Sequence, residues 1–211
     1  MGVFMKFMKY FIKLLFILLM ISIFCSNVNA EVKWNYIRSP KYKTELVKEY
    51  KKIPLSVREL FDDNDIKIKV YGYNRFPNYA GLYNGNIYIE SYNVSWLRDF
   101  YNRRGVYPKL SNKNLSINYA KSTLIHELGH ALDYGKGKIS HKNDFVKIYK
   151  AEKKKIVKTS YYKYPMGKIK ANINSPQEYF ASSFDMYIRS PKDLKKHCPK
   201  TYKYFKVLFS N

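Results

Sequence analysis

The stretch STLIHELGHALDYG, residues 122–135, contains the pattern H-E-x-x-H and decides how the rest of the chain is interpreted. Its surroundings predict one long helix over about 116–134, ended by Gly135 and Gly137, because glycine suits the position after a helix. Residues four apart on a helix lie about 40° apart around the axis, one turn above each other. His126 and His130 therefore direct their imidazoles toward one point.

This geometry predicts a zinc site with a general base beside it. Two imidazole nitrogens can each bind zinc at about 2.0–2.1 Å. Glu127 lies about 100° around the helix from His126, close to the metal without pointing at it. A carboxylate in that place accepts a proton from water and later passes it to a leaving amine.

The pattern leaves the third protein ligand open, and a catalytic zinc takes three protein ligands and one vacant position. The metzincin pattern would need glycine where this chain has Asp133, and histidine where it has Lys136. A downstream carboxylate is the alternative, and Glu178 is an isolated glutamate in the apolar stretch SPQEYFASSF. His141 and His197 are further possible ligands, and His141 is the nearest candidate for a fourth ligand if the metal is structural.

Three segments carry a resemblance to a known family. HELGHALD, SPQEYFASSF and HCPKTYKYF resemble the catalytic domain of the anthrax-toxin lethal-factor-like zinc metallopeptidases, a group that includes secreted Pro-Pro endopeptidases. The resemblance covers about residues 80–209. It implies His126, His130 and Glu178 as ligands of one zinc ion and Glu127 as the general base.

The same resemblance implies a tyrosine that donates a hydrogen bond to the developing oxyanion. In the family this tyrosine usually lies seven residues before the glutamate ligand, a position held here by Ala171. The string TSY favours Tyr161, with Tyr162 and Tyr164 as rivals.

Two further positions concern the surroundings of the ligands. Asp133 is similar to an aspartate of the family and is expected to orient an imidazole; alternatively, it is only a helix-end residue. Ser182, four residues after Glu178, stands where relatives often carry glutamate.

The segments before the motif predict a small sheet. Ile66 and Ile68 alternate with lysines in a half-buried strand, and Asn84-Gly85 predicts a hairpin. The next strand, NIYIES, resembles the edge strand with which zincins pair their substrates. Four of its residues are therefore the expected wall of the substrate cleft: Asn86, Ile87, Tyr88 and Ile89.

Residues after the motif predict mainly helices, including a basic helix in HKNDFVKIYKAEKKKIVK and a helix that begins at Pro176. The predicted fold class is α+β and zincin-like. We expect a small mixed sheet with an edge substrate strand, packed on a long active-site helix and followed by a mainly helical C-terminal part.

The first thirty residues have the pattern of a secretory signal peptide. Three lysines precede the apolar run LLFILLMISIFC, and Ala30 is suited to the cleavage position. The run is shorter than the roughly 20 residues that span a bilayer, so no transmembrane segment is expected after cleavage. The prediction is an extracellular protein with one domain, residues 31–211. Only Cys198 then remains, so no internal disulfide can form.

The formal net charge of +23 favours anionic partners, such as polymers of the cell surface. No nucleic-acid-binding module accompanies the charge, so no specific nucleic acid is expected. The predicted function is a secreted zinc endopeptidase acting on protein or peptide substrates, with its cleavage specificity, including Pro-Pro, left open. The alternative is a non-catalytic basic protein that binds cell-wall or host polyanions.

Overall fold

Helices dominate the structure, a computed structural model that describes residues 34–35, 40–71, 81–90, 112–159 and 173–210. All of these residues lie in one unit, Val32–Asn211. The predicted signal peptide lies outside the described residues. In chain order the elements are β1 (Trp34–Asn35), α1 (Pro40–Tyr50), α2 (Leu55–Asp63), β2 (Ile68–Tyr71), β3 (Gly81–Tyr83), β4 (Ile87–Glu90), α3 (Asn112–Gly135), a 3-10 turn (Ile139–His141), α4 (Asn143–Ile156), α5 (Pro176–Arg189), α6 (Pro191–His197) and α7 (Pro199–Leu208).

The four described strands form one mixed sheet in the order β1-β2-β4-β3. β2 pairs in parallel with β1 and with β4, while β3 and β4 form an antiparallel hairpin. Gly85 has φ +89° in the turn between them, a conformation that glycine adopts without strain. Ile66 and Ile68 are buried, as their alternation with lysines predicts.

The expectation that NIYIES forms the edge strand is wrong. β4 pairs with β2 on one side and β3 on the other, so its backbone groups are used within the sheet. The hairpin places β3 at the edge of the described sheet instead. Alternation of apolar residues predicts that a strand exists, but its position in the sheet depends on which distant strand it joins.

The long helix α3 lies at the centre of the described fold. It packs against α5, α1, α2 and the hairpin strands, and it begins a turn earlier than the sequence predicts. Leu124, Ile125 and Leu128 are fully buried on it. A Cβ added to Gly129 would lie 2.8 Å from the Cα of Ala181 on α5, so the two backbones approach closely at this glycine.

An aromatic core holds the C-terminal helices together. Phe180 of α5 has its ring centroid 5.1 Å from that of Phe145 on α4 and 5.0 Å from that of Phe205 on α7. Glu152 of α4 is buried, and its carboxylate accepts hydrogen bonds from the first turn of α7, including one of 2.9 Å from the Thr201 amide. This carboxylate satisfies orphan amides at the helix start, which ties α7 to α4.

Cys198 is buried and free. Across the described ranges, none of the helices is long and apolar enough to cross a bilayer.

Candidate metal centre

Two imidazoles converge on one face of α3. The helical spacing places His126 and His130 with ring centroids 4.8 Å apart and planes at 88°. Both side chains are buried, and α3 packs against α5 and the hairpin strands. The Nε2 atoms of both rings face the same carboxylate on α5.

That carboxylate belongs to Glu178, which the start of α5 positions. Ser175 is the N-cap residue, Pro176 takes the first turn, and the Glu178 amide donates a 3.1 Å hydrogen bond to the Ser175 hydroxyl. In a capping box the glutamate side chain returns to the N-cap amide. Here it faces the histidines instead: Oε2 lies 3.3 Å from His126 Nε2, and Oε1 lies 3.5 Å from His130 Nε2.

These three side chains fit a metal ion. Ligand atoms about 2.0–2.1 Å from a tetrahedral zinc lie about 3.3–3.4 Å from one another. The two separations found are close to this value and join the two imidazoles to different oxygens of Glu178. With one ligand atom taken from each side chain, all three atoms lie within 4.8 Å of one another. Despite its 3.3 Å contact, the buried Oε2 of Glu178 has no partner with hydrogen-bond geometry among the described residues. A buried acceptor without a partner is costly, and a cation would satisfy it. The three side chains that could hold a metal ion are therefore those of His126, His130 and Glu178, called the metal group below.

The electrostatics of the group favour a bound cation. Burial tends to raise the pKa of Glu178, but the two imidazoles outweigh it and hold this pKa at about 2. Burial tends to lower the pKa of His126, but the carboxylates of Glu178 and Glu127 outweigh it and raise this pKa. The carboxylate is therefore charged at neutral pH, and positive charge is stabilised beside it.

Glu127 lies next to His126 on the same helix and is buried. Burial raises its pKa, and the neighbouring histidines oppose the shift. A carboxylate with a raised pKa holds a proton more strongly than a solvated one, as a group that accepts and later returns a proton must. Glu127 is not part of the group of three possible ligands.

The second nitrogens of the imidazoles have different surroundings from those predicted. His126 Nδ1 lies 3.4 Å from the Ser182 hydroxyl, so serine occupies the place beside this ring. The expectation that Asp133 orients an imidazole is wrong. Both its oxygens accept 2.7 Å hydrogen bonds from Ser140, one from the amide and one from the hydroxyl. These hydrogen bonds instead connect the 3-10 turn to the end of α3.

The sequence analysis missed Asp185, which lies buried two turns after Glu178 on α5. The Ser122 hydroxyl donates to its Oδ2, and Arg189 Nη1 lies 3.8 Å from its Oδ1. Burial tends to lower the pKa of His126, and Glu178 and Glu127 raise it. The negative charge of Asp185 raises this pKa too, by less than the two glutamates do. The spacing to Arg189, one helical turn, is the signal that could have found it.

The remaining predicted residues do not join the group. His141 is exposed, and His197 lies 3.4 Å from Asp193 on the same helix. Neither belongs to the three converging side chains, so the described residues supply no fourth ligand. The tyrosines proposed for the oxyanion, Tyr161, Tyr162 and Tyr164, lie outside the described residues.

The predicted cleft wall is corrected in part. The Ile87 side chain is 0% exposed and belongs to the core, so it cannot contact a substrate. The Asn86 side chain accepts a 3.2 Å hydrogen bond from the Lys67 amide and so joins the hairpin to β2. For Tyr88 and Ile89 the structure gives the backbone, which is paired on both sides. Their contact with substrate stays a prediction.

Comparison with known proteins identifies the family of the chain. No curated protein sequence matches the chain significantly. Among solved structures, the Pro-Pro endopeptidase PPEP-2 from Paenibacillus alvei is similar with a TM-score of 0.53 and 20% identity, over 82% of this chain and 94% of that one. This likeness shows a shared fold. The family model for the anthrax toxin lethal factor, N- and C-terminal domain, matches residues 38–208, and the chain therefore belongs to that family.

Proposed function

We propose that the chain is an exported zinc-dependent endopeptidase. The observation that carries the proposal is the convergence of three metal-binding side chains from two helices, whose ligand atoms all lie within 4.8 Å of one another. Two imidazole nitrogens and one carboxylate form a donor set typical of catalytic zinc. His126, His130 and Glu178 would hold the ion, and a position would remain for water or substrate.

When bound, zinc supplies Lewis acidity, which makes water a stronger acid and polarises a peptide carbonyl. The chain's own contribution is the movement of a proton. The Glu127 carboxylate accepts a proton from the attacking water and gives it to the amine that leaves. Its burial beside the histidines supports this role, because burial raises its pKa and a base with a raised pKa binds the proton more firmly.

Two further parts of the proposal come from the sequence. Tyr161 donates a hydrogen bond to the oxyanion of the tetrahedral intermediate. Residues 1–30 direct export, after which the enzyme acts outside the cell on protein or peptide substrates.

The first substrates to test are peptides that contain consecutive prolines, since the structurally similar PPEP-2 is named a Pro-Pro endopeptidase. At 20% identity the likeness supports the fold, so specificity has to be measured. A mixture of random peptides, analysed by mass spectrometry, reports cleavage without assuming the sequence that is cut.

The test combines metal analysis with cleavage. Purified protein is expected to contain one zinc per chain and to lose cleavage when a chelator removes it. Glu127→Gln should retain zinc and lose at least about a hundredfold in rate, the usual contribution of a general base. His126→Ala and Glu178→Gln should lose both zinc and cleavage.

His141→Ala is the matched control, because this histidine is exposed and lies outside the group. It should retain zinc and activity. Cleavage by Glu127→Gln at the native rate would exclude the proposed base. Full activity without zinc would exclude the metal, and a protein that binds polyanions without metal or cleavage would favour the non-catalytic alternative.

A further inference from the structure

A groove of about 540 Å³ lies between α4 and α7, on helices that contribute none of the three metal-binding side chains. Its apolar lining includes Ile148 from α4 and Val207 and Leu208 from α7. Val207 is 53% exposed, which is unusual for a large apolar side chain. The volume lies within the range of about 300–1,000 Å³ found for ligand sites, so several side chains of a partner could enter.

Two lysines give the groove its charge. Lys200 and Lys203 line it and are exposed, and within the described residues neither ammonium group has a carboxylate partner. Asp144, also in the lining, is the single acid there. The groove is therefore lined by apolar side chains from both helices and by two cationic side chains from α7.

The surroundings strengthen this positive charge. Helix α4 carries five lysines, and α6 and α7 carry three each. Of the acids on α4, Glu152 is buried and accepts hydrogen bonds from the start of α7, so it is not exposed at the surface beside the lysines. A surface with this distribution attracts anionic partners over a distance of about one Debye length, near 8–10 Å.

Tyr204 adds a hydrogen-bond donor to the lining. Burial, helped by Asp144 and Asp133, raises the pKa of Tyr204 to about 12. The phenol therefore remains protonated at neutral pH and can donate to a carboxylate that lies in the groove.

The combination of features selects one class of partner. A purely anionic polymer would contact the lysines and leave the apolar lining exposed to water. A flat bilayer would contact Val207 and could not fill a concave groove. We propose that the groove between α4 and α7 binds an acidic peptide segment that carries a large aliphatic or aromatic side chain. The charges fit the lysine ammonium groups, and the apolar side chain covers Val207 and Leu208. This inference does not depend on the proposed peptidase activity.

Fluorescence anisotropy with the labelled peptide EDFELDE tests the proposal on the full protein, with mass spectrometry to verify that the peptide stays intact. We expect saturable binding that weakens with salt. Lys200→Glu combined with Lys203→Glu should weaken binding by at least about tenfold, because attraction becomes repulsion. Val207→Asp should have a similar effect, because the peptide's apolar side chain loses its contact.

Lys150→Glu combined with Lys154→Glu is the matched control. Both lysines are exposed on α4 outside the groove, and the pair changes the net charge equally. It should alter affinity by less than about threefold, the effect of a distant screened charge. Equal loss in both pairs would overturn the proposal in favour of general attraction to positive charge.

Two further ligands test the other classes of partner, an anionic polymer and a membrane surface. The peptide EDGEGDE keeps the charges and lacks apolar side chains, and equally tight binding of it would overturn the role of the apolar lining. Phosphatidylglycerol vesicles that bind tightly and depend on Val207, while EDFELDE does not bind, would assign the groove to membranes instead. Unchanged thermal unfolding of each variant establishes that it is folded.

Discussion

Asp185 is a buried acid whose ionisation is coupled to folding. Burial raises its pKa to about 7, although Arg189 and the Ser122 hydroxyl oppose the shift. The folded protein therefore binds this proton more tightly than the unfolded chain, whose aspartate has a pKa of about 3.9. Between those values the stability contributed by the protonated acid is lost as pH rises, and it is fully present below about pH 4.

Replacing Asp185 with asparagine should reduce this dependence, because the amide resembles the neutral acid at every pH. We expect the free energy of unfolding to fall less from pH 5 to pH 8 in Asp185→Asn than in the native chain. Urea unfolding at both pH values measures it. The charge of Asp185 also helps to raise the pKa of His126, so its loss reduces the pH dependence that this histidine contributes, in the same direction. An equal fall in the free energy of unfolding in both proteins would show that Asp185 is ionised throughout this pH range.

At the scale of elements, the approach of α3 and α5 sets the distances in the metal group. Gly129 precedes His130, and Ala181 lies one turn after Glu178, so this close approach of the two helices is beside the ligands. The added methyl group of Gly129→Ala would meet the backbone of α5 at 2.8 Å. One helix has to shift, which separates the imidazoles from the carboxylate.

We expect Gly129→Ala to weaken zinc binding, measured by competition with a chromogenic chelator, and to destabilise the fold by about 1–3 kcal/mol. The better helix propensity of alanine, worth up to about 1 kcal/mol, offsets part of this. Gly135→Ala is the matched control, because its methyl group would meet only the flexible end of Leu60, at 3.3 Å. If Gly129→Ala binds zinc as tightly as Gly135→Ala, the close approach does not govern the site.

At the scale of the whole molecule, a bound metal would join α3 to α5 and stabilise the fold. A ligand that binds only the folded state at a hundred times its Kd contributes about 2.7 kcal/mol. For a chain of this size, that corresponds to a rise in Tm of about 5–10 °C. Differential scanning fluorimetry of chelated protein, with and without zinc sulfate, measures it. Glu178→Gln should show a much smaller rise. An equal rise in the variant would place the zinc elsewhere.

Part of the fold and of the candidate site could be predicted because it depends on local geometry. Helical spacing places His126 and His130 on one face, and alternation places Ile66 and Ile68 on the buried side of a strand. Asn84-Gly85 forms its hairpin for the same kind of reason. These patterns involve residues within a few positions of one another, where the backbone alone determines which side chains are neighbours.

What only the tertiary structure decided concerns residues distant along the chain. The partner of Asp133 is Ser140, the place of β4 is inside the sheet, and Asp185 lies buried beside Ser122. The groove with Lys200 and Lys203 forms only where α4 meets α7. Such contacts depend on how helices and strands pack, and many packings satisfy the same local pattern. The sequence by itself determined which groups can bind a metal, and packing decided how closely they meet.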